Sequence, residues 1–101
     1  MHTIRLRDPW QHQPAKSGGT RWTRTFHRPT GISKQEKVWL VISDSTVPVW
    51  LGDQLLTADG IGQGGRYDIT TLLANFNRLA IEVLEATDQR SFEVCLEISE
   101  R

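Results

Sequence analysis

The chain has 101 residues, 38% of them hydrophobic and 24% charged, a composition that is typical of a folded domain and argues against a disordered or fibrous protein. No apolar run approaches the ~20 residues that a membrane helix needs, and the opening MHTIRLRDPW lacks the apolar centre of a signal peptide. We therefore expect a single domain over residues 1–101 that resides in the cytoplasm and has no membrane partner.

The net charge is zero, but the charges are unevenly distributed along the chain. Residues 1–40 carry eight basic and two acidic side chains, a net charge of +6, and residues 41–101 carry four and ten, a net charge of −6. A basic first half could bind nucleic acid. In an antiparallel sheet, however, early and late strands lie side by side and their opposite charges can pair. We therefore favour cross-strand pairing and do not expect a nucleic-acid partner.

The first part of the chain shows short segments in which apolar and polar residues alternate, the pattern of β-strands with one buried face. Residues 4–7 predict a strand that ends at Asp8-Pro9, because proline cannot donate to a strand ladder. Residues 11–20 are polar and contain proline and two glycines, so they predict a loop. Residues 21–27 predict the next strand.

The middle of the chain predicts a hairpin. Residues 37–43 form the most β-branched segment, and residues 47–51 alternate after a compact turn, so we expect these two strands to pair. Gly52-Asp53 predicts a second tight turn. Residues 58–65 are rich in glycine, but they lack the flanking strand and long helix of a phosphate-binding loop, so they predict an ordinary loop.

The segment from 66 to 84 changes hydrophobic period twice and predicts a turn, a helical turn and a strand. Asp68 is expected to cap the short helical turn near residues 69–74. Residues 79–84 predict the following strand, and residues 92–98 predict the last strand.

Short strands separated by turns, with one helical turn, predict an all-β fold, an antiparallel β-sandwich. The core is expected to consist of the inward-facing apolar residues Leu6, Phe26, Val38, Leu40, Ile42, Val49, Leu51, Ile69, Leu72, Leu79, Ile81, Val83, Phe92, Val94, Leu96 and Ile98.

Four sequence motifs occur in an order that carries a family resemblance. They are Ile4-Arg5-Leu6 with Trp10, Trp22-Thr23-Arg24-Thr25-Phe26 with Pro29, Val38-x-Leu40-x-Ile42 with Val49-Trp50-Leu51, and Asp68-Ile69-Thr70 with Leu72 or Leu73 and Asn77-Arg78-Leu79. This set resembles the sugar-binding domain of family 2 glycoside hydrolases, the group of β-galactosidases and β-glucuronidases, over nearly the whole chain. The chain departs from the family at Gly52-Asp53, where Asn-Gly is typical, and at Thr23, where tyrosine is typical.

The resemblance implies a galactose-binding-domain-like jelly roll. In the family the two catalytic carboxylates belong to a separate barrel, so the resemblance implies no hydrolase activity for this chain.

No catalytic or metal site is predicted from the residues themselves. His2, His12 and His27 have no spacing that would bring two imidazoles together on one metal ion. Cys95 is the only cysteine, and its place in an alternating segment predicts a strand residue and not a reactive thiol. We therefore expect a protein that is not an enzyme and has no cofactor.

The tryptophans are the most informative residues for binding, because sugar-binding sandwiches lay a pyranose ring on an indole and fix its hydroxyls with polar side chains. If the predicted hairpin forms, Trp39, Val41 and Trp50 share one outer face and form a large apolar patch. The candidate ligand-binding residues are Trp39, Trp50, Trp10, Arg24 and Asp53.

Three interpretations of this patch stay open: the loop that carries Trp10 covers it, a protein binds it, or a carbohydrate binds it. The leading hypothesis is a non-catalytic binding domain that recognises a carbohydrate or a partner protein. The alternative is a small structural module that forms a homo-oligomer through its tryptophan face and has no carbohydrate ligand.

Overall fold

The computed structural model describes residues 2–16, 18–44, 46–56 and 65–100. Within these ranges the chain forms nine strands, which are β1 His2–Arg5, β2 Gln11–Pro14, β3 Thr20–His27, β4 Glu36–Ile42, β5 Val49–Leu51, β6 Gln54–Leu55, β7 Arg66–Asp68, β8 Phe76–Val83 and β9 Val94–Glu100. None of the residues in these ranges belongs to a helix long and apolar enough to cross a membrane. The predicted glycine-rich loop at 58–65 lies outside the described residues except for Gly65.

The strands form two antiparallel sheets. Sheet A has the order β1-β9-β4-β7, and sheet B has the order β2-β3-β8-β5-β6. The two sheets pack face to face with the alternating apolar side chains between them. This arrangement confirms the predicted all-β fold, an antiparallel jelly-roll β-sandwich.

The core lies where the alternation of the long strands predicts it. In β4, Val38, Leu40 and Ile42 are buried, and the residues between them are only half-buried. All the predicted core residues are buried except Leu72 and Val83, which are half-buried and pack against the edge of the core. Alternation identifies the buried face correctly because successive strand side chains point to opposite faces of a sheet.

The predicted hairpin between residues 37–43 and 47–51 is wrong. The strand β4 pairs with β7 and β9 in sheet A, whereas β5 pairs with β6 and β8 in sheet B. The chain therefore crosses from one sheet to the other between Ile42 and Val49. Both strands have one apolar face in either arrangement, so their alternation does not distinguish a hairpin from a crossover.

Two further segments differ from the prediction. The predicted loop at 11–20 contains the strand β2, whose residues are all exposed and pair with β3 at the edge of sheet B. A strand without a buried face has no alternating pattern to predict it from, and Pro14 is tolerated there because edge positions need fewer donors. The residues Arg66–Asp68, predicted as a turn, form the strand β7 against β4.

The turn after β7 has the predicted cap. The Asp68 carboxylate accepts hydrogen bonds from the Thr70 amide at 3.1 Å and from the Thr70 hydroxyl at 2.6 Å. The amides of Leu72 and Leu73 both donate to the Ile69 carbonyl, which closes a single helical turn. The predicted turn at Gly52 is also present and joins β5 to β6, with a positive φ of 61° at the glycine.

Opposite charges of early and late strands pair across the sheets, as predicted. The Arg21 guanidinium on β3 lies 2.6 Å from the Glu82 carboxylate, directly opposite on β8. The Lys37 ammonium on β4 lies 3.6 Å from the Asp68 carboxylate on β7. These ion pairs neutralise part of the basic charge of residues 1–40 with acidic side chains of the same chain.

Candidate functional site

The structure separates the five residues predicted to bind a ligand. Trp39 lies on the outer face of sheet A, and Trp50 lies on the outer face of sheet B. The single patch of Trp39, Val41 and Trp50 predicted from the hairpin is therefore wrong, because the sandwich lies between the two indoles. Each tryptophan has to be judged with its own neighbours.

Trp10 belongs to the core. Only 8% of its surface is exposed, its Nε1 donates to the Leu6 carbonyl at 3.0 Å, and its ring meets Phe92 edge to face at 5.5 Å between centroids. The Arg90 guanidinium covers it from another side, 5.3 Å from the ring. A buried indole offers no surface to a ligand, so the prediction that Trp10 binds one is wrong. Trp10 also does not cover the outer tryptophans, so the interpretation in which its loop covers them is wrong as well.

Trp39 is surrounded by charged side chains of its own sheet. The Arg66 guanidinium lies 4.1 Å from its ring centroid and the Lys37 ammonium lies 5.7 Å from it. Arg66 is also 3.5 Å from Glu97, and Lys37 is 3.6 Å from Asp68, so both cations are held in ion pairs around the indole. Two cations contact the Trp39 ring, whereas one, that of Arg21, contacts Trp50, so Trp39 is the less favourable platform for a sugar ring.

Trp50 lies beside small residues. It is directly opposite Ala80 on β8, and Ala80 is directly opposite Thr23 on β3. Ala80 and Thr23 are nearly buried although they point away from the core, which shows that larger side chains rise around them. The Arg21 guanidinium, held by Glu82, lies 4.9 Å from the Trp50 ring and forms one side of this depression.

A pocket of about 380 Å³ adjoins this depression where β2 begins, at the edge of sheet B. It is lined by Pro9, Gln11, Thr23, Arg24, Thr25 and Arg78. The strand pairing places Gln11, Thr23, Ala80 and Trp50 in one row across four strands, and Thr25 opposite Arg78 in the next row. We call the surface formed by Gln11, Thr23, Thr25, Arg78, Ala80 and Trp50 the sheet B face.

Arg24 has a structural role at the rim of this pocket. Its Nε donates to the Arg7 carbonyl at 2.6 Å and its Nη1 donates to the Thr25 carbonyl at 3.0 Å. Arg7 follows a strand of sheet A, whereas Arg24 belongs to sheet B, so the guanidinium ties the two layers together. Two of its donors are thus committed to backbone oxygens.

Asp53 lies in the exposed turn between β5 and β6. The amide of the preceding Gly52 donates to the Arg78 carbonyl at 2.8 Å, which places this turn beside the strand that carries Arg78. Trp50, Arg24 and Asp53 therefore all belong to sheet B or its turns, while Trp39 and Trp10 lie elsewhere. Trp50 lies on the outer face, whereas Arg24 alternates with Thr23 and Thr25 and points toward sheet A at the rim of the pocket. Gln11 and Arg78 also belong to this surface, and the sequence does not indicate this because only the pairing of β2, β3 and β8 brings them together.

Among the residues that the structure describes, neither the Cys95 thiol nor the potential metal ligands form a site. Burial raises the pKa of the Cys95 thiol, the charge of Glu97 raises it further, and Arg5 only partly opposes this, so the thiol stays protonated at neutral pH. Across the described ranges, no group of three His, Cys, Asp or Glu side chains is placed to hold a metal ion.

The comparisons with known proteins support the fold. No protein-family model matches the sequence, and no curated protein matches it. A solved structure that the chain resembles is an FMN-binding β-glucuronidase from Facaelibacterium prausnitzii L2-6, with a TM-score of 0.62 and 17% sequence identity over 94% of this chain. The chain spans 22% of the length of that protein. At the level of the fold, this likeness supports the expected resemblance to a domain of family 2 glycoside hydrolases.

Proposed function

We propose that this chain is a non-catalytic accessory binding domain and that the sheet B face is its binding surface. The proposal rests on one observation: the half-buried indole of Trp50 lies on the same face of sheet B as a pocket lined by hydroxyl, amide and guanidinium groups. The fold-level likeness to part of a β-glucuronidase supports an accessory role. Function nevertheless has to be argued from the site, because one fold serves many functions.

A carbohydrate is the ligand class that suits this surface. A sugar ring has an apolar face that can contact Trp50 and hydroxyl groups that can bond to Gln11, Thr23 and Thr25. The pocket volume of about 380 Å³ lies near the lower end of the range of small-molecule sites. With one stacking contact and a few hydrogen bonds of about 1 kcal/mol each, we expect binding in the micromolar to millimolar range.

We propose a non-catalytic role because the residues that line the pocket lack the groups that catalysis needs. Glycoside hydrolysis needs a pair of carboxyl groups, and nucleophilic catalysis needs a nucleophile beside a base. The lining residues include two threonines and two arginines but neither a carboxylate nor a histidine nor a thiol. These groups can bind and orient a ligand, and they include no general acid or base for neutral pH.

The test is a titration of the full chain with a panel of neutral glycosides, in which isothermal calorimetry and protein NMR measure binding. Trp50→Ala removes the proposed platform, and Trp39→Ala is the matched control on the other sheet. Thermal unfolding of both variants checks that they fold. Binding that is lost in the first variant and kept in the second supports the proposal; binding that depends on Trp39 alone, or no binding at tens of millimolar sugar, refutes the carbohydrate ligand.

Self-association is the second candidate function, and two exposed side chains favour it. Leu55, directly opposite Trp50, is 50% exposed, and Phe76 on β8 is 53% exposed on the same outer face. Light scattering measures the oligomeric state. A dimer that Leu55→Ser dissociates, while the same change at the exposed Leu84 leaves it intact, would favour assembly over carbohydrate binding. A monomer at all concentrations would exclude this second function.

A further inference from the structure

The pocket at the edge of sheet B, which we call the sheet B pocket, has positively charged side chains and no acidic side chain in its lining. Its lining includes the guanidinium groups of Arg24 and Arg78 and no Asp or Glu. Asp53 lies in the neighbouring turn, yet among the described residues it forms no ion pair with Arg78. The pocket therefore presents mainly hydrogen-bond donors to a ligand.

The two guanidinium groups differ in what they already bind. Arg24 donates to the carbonyls of Arg7 and Thr25, so it fixes the rim of the pocket. Arg78 is exposed, and no hydrogen bond or ion pair of its side chain occurs within the part of the chain that the structure describes. By contrast, Arg21 at the other side of Trp50 is held by Glu82 at 2.6 Å and stacks on the indole. Of the cations that the structure describes on this face, Arg78 is thus the one open to a ligand.

The strand register sets the distance between this cation and the indole. Trp50 is opposite Ala80, and Arg78 lies two residues along the same strand, so Arg78 is the diagonal neighbour of Trp50. Diagonal neighbours on one face of a sheet lie about 7–8 Å apart, within reach of long side chains. One sugar ring placed on the indole can therefore direct a substituent at the guanidinium.

We propose that the sheet B pocket binds a sugar that carries a carboxylate in preference to its neutral counterpart, with Arg78 receiving the carboxylate. This inference rests on the proposed carbohydrate-binding function and names the ligand class of the same site. A guanidinium matches a carboxylate with two parallel N–H···O bonds, which are stronger than bonds between neutral groups. Thr25, directly opposite Arg78, offers a hydroxyl beside this contact.

The experiment compares methyl galactoside with methyl galacturonide, which differ only in a hydroxymethyl group replaced by a carboxylate, and includes sodium acetate as a carboxylate without a sugar ring. The full chain, Arg78→Gln and Arg21→Gln are titrated with each compound at low and high salt. For a partly exposed charged hydrogen bond we expect roughly tenfold tighter binding of the acid by the unmodified chain. This preference should vanish in Arg78→Gln, persist in Arg21→Gln and decrease in high salt.

The outcomes separate this inference from the function on which it rests. Equal binding of the acid and the neutral sugar, with both lost in Trp50→Ala, would overturn the inference and leave the proposed function intact. Acetate binding as tightly as the galacturonide would show that the sugar ring contributes nothing, which also overturns the inference. A preference that depends equally on Arg21 would indicate general attraction by the basic surface and would overturn the role of Arg78. If neither sugar binds, both proposals fall together.

Discussion

Leu40 offers the sharpest test of the two-layer core. Its side chain has 0% exposed surface and sits in the central strand β4, directly between Tyr67 on β7 and Leu96 on β9. Leu40→Ala removes three buried carbons, about 2.4 kcal/mol at about 0.8 kcal/mol each. The cavity left behind brings the expected loss of unfolding free energy to about 2–5 kcal/mol. For a chain of this length total stability is on the order of 5–15 kcal/mol, so this single change should remove a large share of it.

The assay is urea unfolding followed by tryptophan fluorescence and far-ultraviolet circular dichroism. The matched control is Leu84→Ala, which makes the same chemical change at a side chain that is 91% exposed. We expect the control to change stability by less than about 0.5 kcal/mol. Equal losses in the two variants would show that β4 does not contribute its inner face to a core, and the sandwich described above would be wrong.

Two further stability changes follow from local contacts. Burial raises the pKa of the Asp68 carboxyl, but the hydrogen bonds from Thr70 and the charge of Lys37 outweigh it and leave the pKa below its ordinary value. Asp68→Ala should therefore lower the unfolding free energy by about 1 kcal/mol at neutral pH without changing ligand affinity. This loss of stability relative to the unmodified chain should shrink as the pH falls below about 4, because the unmodified chain then loses the stabilising carboxylate. A constant loss down to pH about 2 would contradict this. A Cβ at Gly19 would collide with the Val83 carbonyl oxygen, so Gly19→Ala should displace the start of β3 and cost about 1–3 kcal/mol of stability in thermal unfolding. An unchanged Tm would contradict the close approach of these two segments.

The sequence predicts the parts of this fold that depend on local pattern. Alternation in β4, β8 and β9 identifies the buried residues, since one face of each strand must lie against the opposite sheet. The cap at Asp68 is equally local, because the carboxylate and the amide that it binds are two residues apart. Such features can be read from neighbouring residues alone.

What the sequence does not predict is which strands pair. The crossover between β4 and β5 places Trp39 and Trp50 on different sheets, and it depends on partners that are distant in sequence. Trp39 pairs with Glu97, 58 residues away, and Trp50 pairs with Ala80, 30 residues away. The exposed edge strand β2 leaves no hydrophobic signal at all. The sheet B face is composed of side chains from four strands, so it could only be recognised once their register was known.

The central claim is that the sheet B face, and not the sheet A face, receives a sugar. The most direct measurement is a two-dimensional ¹H–¹⁵N NMR titration of the full chain with methyl galacturonide and methyl galactoside, following the indole signals of Trp50 and Trp39 and the amides of Thr23, Thr25 and Arg78. We predict saturable shifts of the Trp50 indole and of the three amides, with the Trp39 indole unmoved. Shifts confined to Trp39 and its neighbours, or no shift at tens of millimolar of either sugar, would contradict the account.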